Sequence, residues 1–388
     1  MHFPFASMFV TSASFNDVLR WTLAIGLLVL LAGASPSVGS GAAPAAPAST
    51  RVADPVPFED LFTPVRSIRI EGTEDHPLFD LRDIAVQGDT LFVLDKQGAT
   101  LSAFRLDGTL LYQVGRPGRG PGELTNPERV ELISDDRLVV LEGPPNSRLQ
   151  TFSARDGQLL NVFTEGVHVR SSTRDAYVDV RQGTPHLFSS TSAPCGNEDA
   201  LCVVQEHDLH SGALVRRFAP RRIVDPALRH ITPYLMGRDA SGRTYVAHSV
   251  GASVAIFDQE GAFRNRFSIS QSPTFRPLDA SSLPDRQLSD ALAPLSYSII
   301  HHLAVVDGDI VLDHYFKTPE GMEGYYVSVF GSDGRHIGST SALPTPPNDG
   351  VGLLLETRGN RFFYYTMDSE SELGSYTIYE YRYTGVPK

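Results

Sequence analysis

Carboxylates recur at corresponding places along this chain. Asp83, Glu131 and Asp175 each sit at the opening of an apolar segment, and oxygen donors of that kind are what a hard cation such as calcium takes. Arg82 and Arg129 stand beside the first two and offer planar guanidinium forks to a carboxylate or other anion. Tyr177, Tyr234 and the adjacent pair His301 and His302 occupy the same place in later segments, with Asp349 last in the series. Brought together, these side chains could hold calcium, grip a polar ligand or supply a histidine base. Left apart, they pair with one another or with enclosed water, because buried polar groups need partners in any fold.

Other candidates have strong structural explanations. Arg116, Arg119 and Glu123 lie in the glycine-rich run GRPGRGPGELTNP (115–127). The two arginines could grip an anion, yet Gly115, Gly118, Gly120 and Gly122 permit sharp turns, and Glu123 can fix them by accepting backbone hydrogen bonds. The run lacks the Gly-Lys-Ser/Thr of a phosphate-cradling loop. His207 and His210 form an H-x-x-H pair, but residues three apart on a strand point to opposite faces, so His207 reads as a packed core histidine. The same alternation lets at most one ring of His301 and His302 face a shared site. There is no G-x-S-x-G elbow, H-E-x-x-H helix or EF-hand loop.

Composition narrows the partners. The chain has 388 residues, 41% hydrophobic and 20% charged, with a formal net charge of −12. No basic cluster reaches the density that nucleic acid or anionic lipid requires. Lysine occurs only at positions 96, 317 and 388, a skew that reads as genomic base composition before any functional cause. An apolar run from Trp21 to Ala34, with Ala32-Gly33-Ala34 before Ser35, suits a signal peptide and is short for a membrane span of roughly 20 residues. Residues 1–34 are therefore a signal peptide or, uncleaved, a membrane anchor, which is the one route to a membrane. Residues 35–60, rich in Ala, Pro, Ser and Gly, form a linker, and 61–388 the folded domain. Cys195 and Cys202 are the only cysteines; two thiolates cannot complete a structural zinc site, and a disulfide between them fits an exported protein.

The candidates are positioned by a repeat. Phe104, Phe152, His207, Phe257, Phe330 and Tyr381 are each followed, four or five residues on, by Gly108, Gly157, Gly212, Gly261, Gly334 and Gly385. An acidic or small polar residue precedes each glycine, the mark of a tight hairpin. The interval of roughly 50 residues fits one four-stranded propeller blade. Further turn residues precede the runs LFVLD, LVVLE, TYVAH, IVLDHY and FFYYTM, giving four strands per repeat. The last repeat has only Val386, Pro387 and Lys388 after its glycine, so its fourth strand must come from elsewhere. Val65–Glu71, near the start, predicts a closing strand that removes the open edge. The fold class is all-β: a six-bladed β-propeller of four-stranded antiparallel blades, closed by an N-terminal strand joining the C-terminal blade.

The run 115–127, followed by VELISDDRLVVLE (130–142), resembles the inter-repeat junction of NHL-type and related bacterial six-bladed propellers of the TolB-like group. That resemblance implies a propeller and often a binding role, with no shared catalytic set. Six-bladed lactonases and esterases bind calcium at the channel, which for this chain would implicate Asp83, Glu131 and Asp175. The expected function is thus an exported module binding a protein or small-molecule ligand, without catalysis or a required cofactor. The alternatives are a calcium-dependent lactonase or esterase and a structural part of an envelope assembly. Loops between second and third strands, and connectors between blades, hold most of the long segments, so one face of the ring is the functional candidate.

Overall fold

Six turn glycines set the frame. Gly108, Gly157, Gly212, Gly261, Gly334 and Gly385 have φ between 72° and 89°, the left-handed region in which glycine meets no Cβ penalty. The computed structural model describes residues 55–168, 176–181, 183–196, 200–225, 228, 233–278, 295–340, 353–368 and 370–385. The apolar run 21–34, Asp175 and Asp349 lie outside the described residues.

After a single helical turn, α1 (Phe58–Leu61), comes β1 (Phe62–Glu71). Blade one follows as β2 (Leu81–Gln87), β3 (Thr90–Asp95), β4 (Thr100–Arg105) and β5 (Leu110–Val114). Blade two is β6 (Pro127–Ser134), β7 (Arg137–Glu142), β8 (Arg148–Ser153) and β9 (Leu159–Phe163). Blade three is β10 (Ala176–Arg181), β11 (Thr184–Pro194), β12 (Leu201–Asp208) and β13 (Leu214–Pro220), followed by the short α2 (Arg221–Val224). Blade four is β14 (Tyr234–Arg238), β15 (Thr244–His248), β16 (Ser253–Phe257) and β17 (Phe263–Ser268). Blade five is β18 (Tyr297–Val306), β19 (Asp309–Thr318), β20 (Gly321–Phe330) and β21 (His336–Ser339). Blade six has β22 (Leu353–Arg358), β23 (Arg361–Met367) and β24 (Ser375–Tyr383), and β1 completes it as the outer strand.

All neighbouring strands within the blades are antiparallel, and β1 pairs with β24 from Phe62 opposite Tyr383 to Glu71 opposite Ser375. The closing strand is thus present and starts three residues before the expected Val65. First strands of successive blades touch one another in a closed circuit. One apolar cluster fills each gap between blades; Ala85 and Phe92 of blade one, for example, pack with Val130 and Leu138 of blade two. The ordered domain also begins earlier than residue 61. Val56 bridges to Thr340, and Phe58 stacks on Phe62 at 4.6 Å with its edges toward Tyr364 and Tyr381, because the gap between blades five and six needs an apolar filler.

The repeated glycine does more than turn the chain. A Cβ on Gly212 would stand 2.0 Å from the ring of Phe163, in the outer strand of the preceding blade. The same relation joins Gly157 to Tyr112 and Val114, Gly261 to Phe218, Gly334 to Phe267 and, across the closure, Gly108 to the Arg69 carbonyl of β1. Each turn is therefore seated against the blade before it. Gly385 has no such neighbour within 4 Å, and it is at this junction that Phe58 packs.

His207 occupies the aromatic position of blade three and is fully buried. Burial pulls its pKa down to about 4, whereas an unfolded histidine titrates near 6.5. The unfolded chain therefore takes up a proton that the native state refuses as pH falls from 6.5 to 4, so stability is complete above 6.5 and declines through that window. His207→Phe restores the aromatic residue of the repeat and should remove about 2 kcal/mol of acid sensitivity at pH 5. Urea midpoints at pH 7 and pH 5 check this; an unchanged pH slope in the variant would contradict it.

Candidate functional site

The first strands of four blades carry an extra residue near their start. Arg82, Glu128, His301 and Leu355 are each bulged out of register, so that the next residue, Asp83, Arg129, His302 or Glu356, resumes pairing with the second strand. A bulge re-aims side chains that strict alternation would send to opposite faces. It brings equivalent positions of neighbouring blades into contact.

Arg82 and Glu128, the bulged residues of blades one and two, form an ion pair with Nη2 to Oε2 at 2.5 Å. Lys96 Nζ lies 2.7 Å from the other oxygen of Glu128. Glu128 is fully buried, while the Arg82 and Lys96 side chains remain 21% and 27% exposed. One position on, Arg129 forms an ion pair with Asp83 at 3.0 Å and reaches within 3.6 Å of Glu131. The second oxygen of Asp83 accepts the Val130 N–H at 2.7 Å.

The Arg129 guanidinium, itself buried, pairs with both Asp83 and Glu131 and supplies positive charge between carboxylates that a calcium ion would otherwise have to balance. Among the described residues, no group of three or more His, Cys, Asp or Glu side chains could hold a metal ion.

The remaining candidates do not join this cluster. Tyr177 donates its hydroxyl to the Leu303 carbonyl at 3.0 Å, linking blade three to blade five. Blade four makes room there with Gly237, where a Cβ would stand 2.4 Å from the Leu303 side chain. Tyr234 is buried, edge-on to His248 at 4.8 Å and beneath the Arg221 guanidinium, so it belongs to the core between blades three and four. His302 pairs across the sheet with Asp313, and His301 Nδ1 lies 3.9 Å from the same buried carboxylate. His301 is the bulged residue, so strict alternation does not hold at this pair.

The connector is structural in its geometry. Glu123 accepts the Gly120 N–H at 2.8 Å and pairs with Arg116 at 2.8 Å, and these contacts hold its carboxyl below the usual range. Arg148 donates to the Arg119 and Glu123 carbonyls, each at 2.7 Å, and Gln150 accepts the Gly122 N–H at 2.8 Å. Arg116 and Arg119 point outward. Cys195 and Cys202 form a disulfide that ties the ends of β11 and β12.

A second ring of polar residues was missed in the sequence. Asp95, Glu142 and His248 are buried at the end of second strands, each opposite the first residue of the inner strand, and His314 is buried in the middle of β19. They anchor loops: Asp95 accepts the N–H groups of Phe79, Asp80 and Gly98, Glu142 accepts that of Thr125, and His248 Nδ1 that of Val250. His314 bonds Ser328 at 2.8 Å, and burial lowers its pKa to about 3. The signal was present as the polar residue closing LFVLD, LVVLE and TYVAH.

Residues 50–165 match the model of a family, DUF5128, described as a six-bladed β-propeller. With six closed blades in the structure, that decides the fold. The chain is a six-bladed β-propeller. Similar solved structures include a member of the DUF4221 family from Bacteroides vulgatus, 10% identical, with a TM-score of 0.54 over 83% of this chain and 97% of that one. A Bacteroides fragilis protein provisionally described as exported is 12% identical, with a TM-score of 0.57 over 85% and 97%. At such identities the likeness extends to the propeller fold alone. No curated protein matches the chain significantly.

Arg129→Met tests the charge balance of this propeller's inner ring. Removing the cation leaves Asp83 and Glu131 buried without it, which costs about 3–5 kcal/mol. The triple replacement of Arg129, Asp83 and Glu131 by apolar residues of similar size should recover most of that loss. Chemical denaturation of both variants measures it, and a single variant as stable as the parent would refute the assignment.

Proposed function

We propose that the protein is an exported binding module that takes an anionic ligand, a small carboxylate or a carboxylate of a protein partner, at the loop-bearing end of the ring. One observation carries this reading: Arg82 and Lys96 are drawn together by the buried Glu128 while their side chains stay 21% and 27% exposed. The two cations share Glu128 and also feel the nearby Asp80 carboxylate, so an anion would bind there through donors held in place and not through a surplus of positive charge. Glu128 holds the pair in place before any ligand arrives, which reduces the ordering cost of binding. Export is supported by the apolar run before Ala34 and by the disulfide, which persists in oxidising compartments.

Thermal unfolding with acetate, succinate and phosphate in turn tests the reading. A ligand at 100 times its dissociation constant adds about 2.7 kcal/mol to stability. At least one of these anions should raise the melting temperature, and Lys96→Ala should abolish the rise while preserving the fold. No rise with any anion, or an equal rise in the variant, sinks the proposal. Calcium is the informative control: a calcium-dependent rise and esterase activity, both lost in Asp83→Asn, would replace this reading with a metal-dependent hydrolase.

A further inference from the structure

The ring closes where β1 of blade six hands the chain to blade one, and two loops meet there on the loop-bearing face. Gly72 donates to the Gly374 carbonyl at 2.8 Å, and Leu78 donates to that of Leu373 at 2.9 Å. The approach is close enough to require glycine: a Cβ on Gly72 would lie 1.9 Å from the Leu373 oxygen, and one on Gly374 would lie 1.7 Å from the Leu78 oxygen. The Phe79 N–H is fixed in addition by the buried Asp95. The two loops therefore form one preorganised surface.

That surface carries exposed apolar and acidic side chains, with Arg69 near Asp368 at its edge. Phe79, Met367 and Leu373 are 47%, 52% and 36% exposed, large side chains left in solvent beside the buried Leu78. Glu74 and Asp75 on one loop, with Glu370 and Glu372 on the other, are all exposed and make no ion pair among the described residues. Exposed apolar groups rimmed by charge mark interaction sites, and four like charges select the sign of the partner. An anionic membrane would be repelled.

We infer that this seam docks a basic segment of a partner protein, its apolar side chains seated on Phe79, Met367 and Leu373 and its lysines or arginines facing the four carboxylates. The seam adjoins the Arg82 and Lys96 pair through Asp80, whose carbonyl accepts the Lys96 N–H, but its apolar side chains and its four carboxylates are different groups, and neither proposal depends on the other.

Fluorescence anisotropy of the mature chain with a labelled Lys-Leu-Trp-Lys-Leu-Arg peptide tests the inference. Glu-Leu-Trp-Glu-Leu-Glu and Lys-Ser-Ser-Lys-Ser-Arg peptides serve as controls. The basic apolar peptide should bind, with affinity at least tenfold above either control. Phe79→Ser with Leu373→Ser should weaken it at least tenfold, as should Glu370→Lys with Glu372→Lys. All changed side chains are exposed, and circular dichroism confirms the fold. Charge variants that matter while the apolar pair does not would reduce the seam to a counterion surface and overturn the inference. So would equal binding of the acidic peptide, or a dimer by sedimentation that Phe79→Ser dissociates, since the occupant is then a second copy of this chain.

Discussion

The contact between a turn glycine and the outer strand of the preceding blade is the constraint on which the ring depends. A blade alone is a small twisted sheet with two apolar faces, and it becomes stable only when neighbours cover both. The turn before each fourth strand is the point where one blade meets the next, and a side chain on that glycine would strike Phe163, Phe218 or Phe267 directly. Backbone conformation and interblade packing thus ask for the same residue, a consistency between levels that deepens the preference for one fold. At the closure, Gly108 meets β1 instead of a strand from its own part of the sequence, so the N-terminal strand completes both the last sheet and the last seam.

Polar residues at the inner strands are arranged around the cost of burial. A buried carboxylate is tolerable only when cations or several N–H groups face it, and here they come from loops, from a neighbouring blade or from the next strand of the same blade. Asp95 gathers three N–H groups from the loops beside it, Glu142 holds the glycine-rich connector through Thr125 and Arg148, and Asp83 is held from blade two. The loop-bearing face is therefore stiff at its base, whatever its outer residues contact. Such stiffness suits recognition, because a preorganised surface loses little entropy on binding.

Much of the frame was legible in the sequence because it is encoded locally. An acidic residue before glycine, with an aromatic residue upstream, specifies a hairpin without reference to anything distant, and counting strands after Gly385 exposes the missing one. The site was harder to read. A bulge adds one residue to a strand without a compositional mark, so Glu128 stayed unnoticed between Pro127 and Arg129, although it organises the exposed cations. Register alone puts Tyr234 at the start of its inner strand, and the ring is buried edge-on to His248. Convergence across blades is a tertiary fact, and pairs such as Arg82 with Glu128 come from different repeats.

The arginine bias also gains a physical dimension. Arginine's flat fork suits buried pairs and aromatic faces, and Arg129, Arg148 and Arg216 each bind carboxylates, while Arg238 lies 4.0 Å above the Phe188 ring and pairs with Asp179. These are structural positions. Lys96 is different in kind, a compact ammonium on a flexible stem that shares a carboxylate with Arg82 yet stays partly in water. Three donors rotate freely on an ammonium, so one can remain on Glu128 while another turns toward an incoming oxygen. An arginine fixed by two oxygens has less freedom to do so, and among the described residues Lys96 is the one lysine in an ion pair.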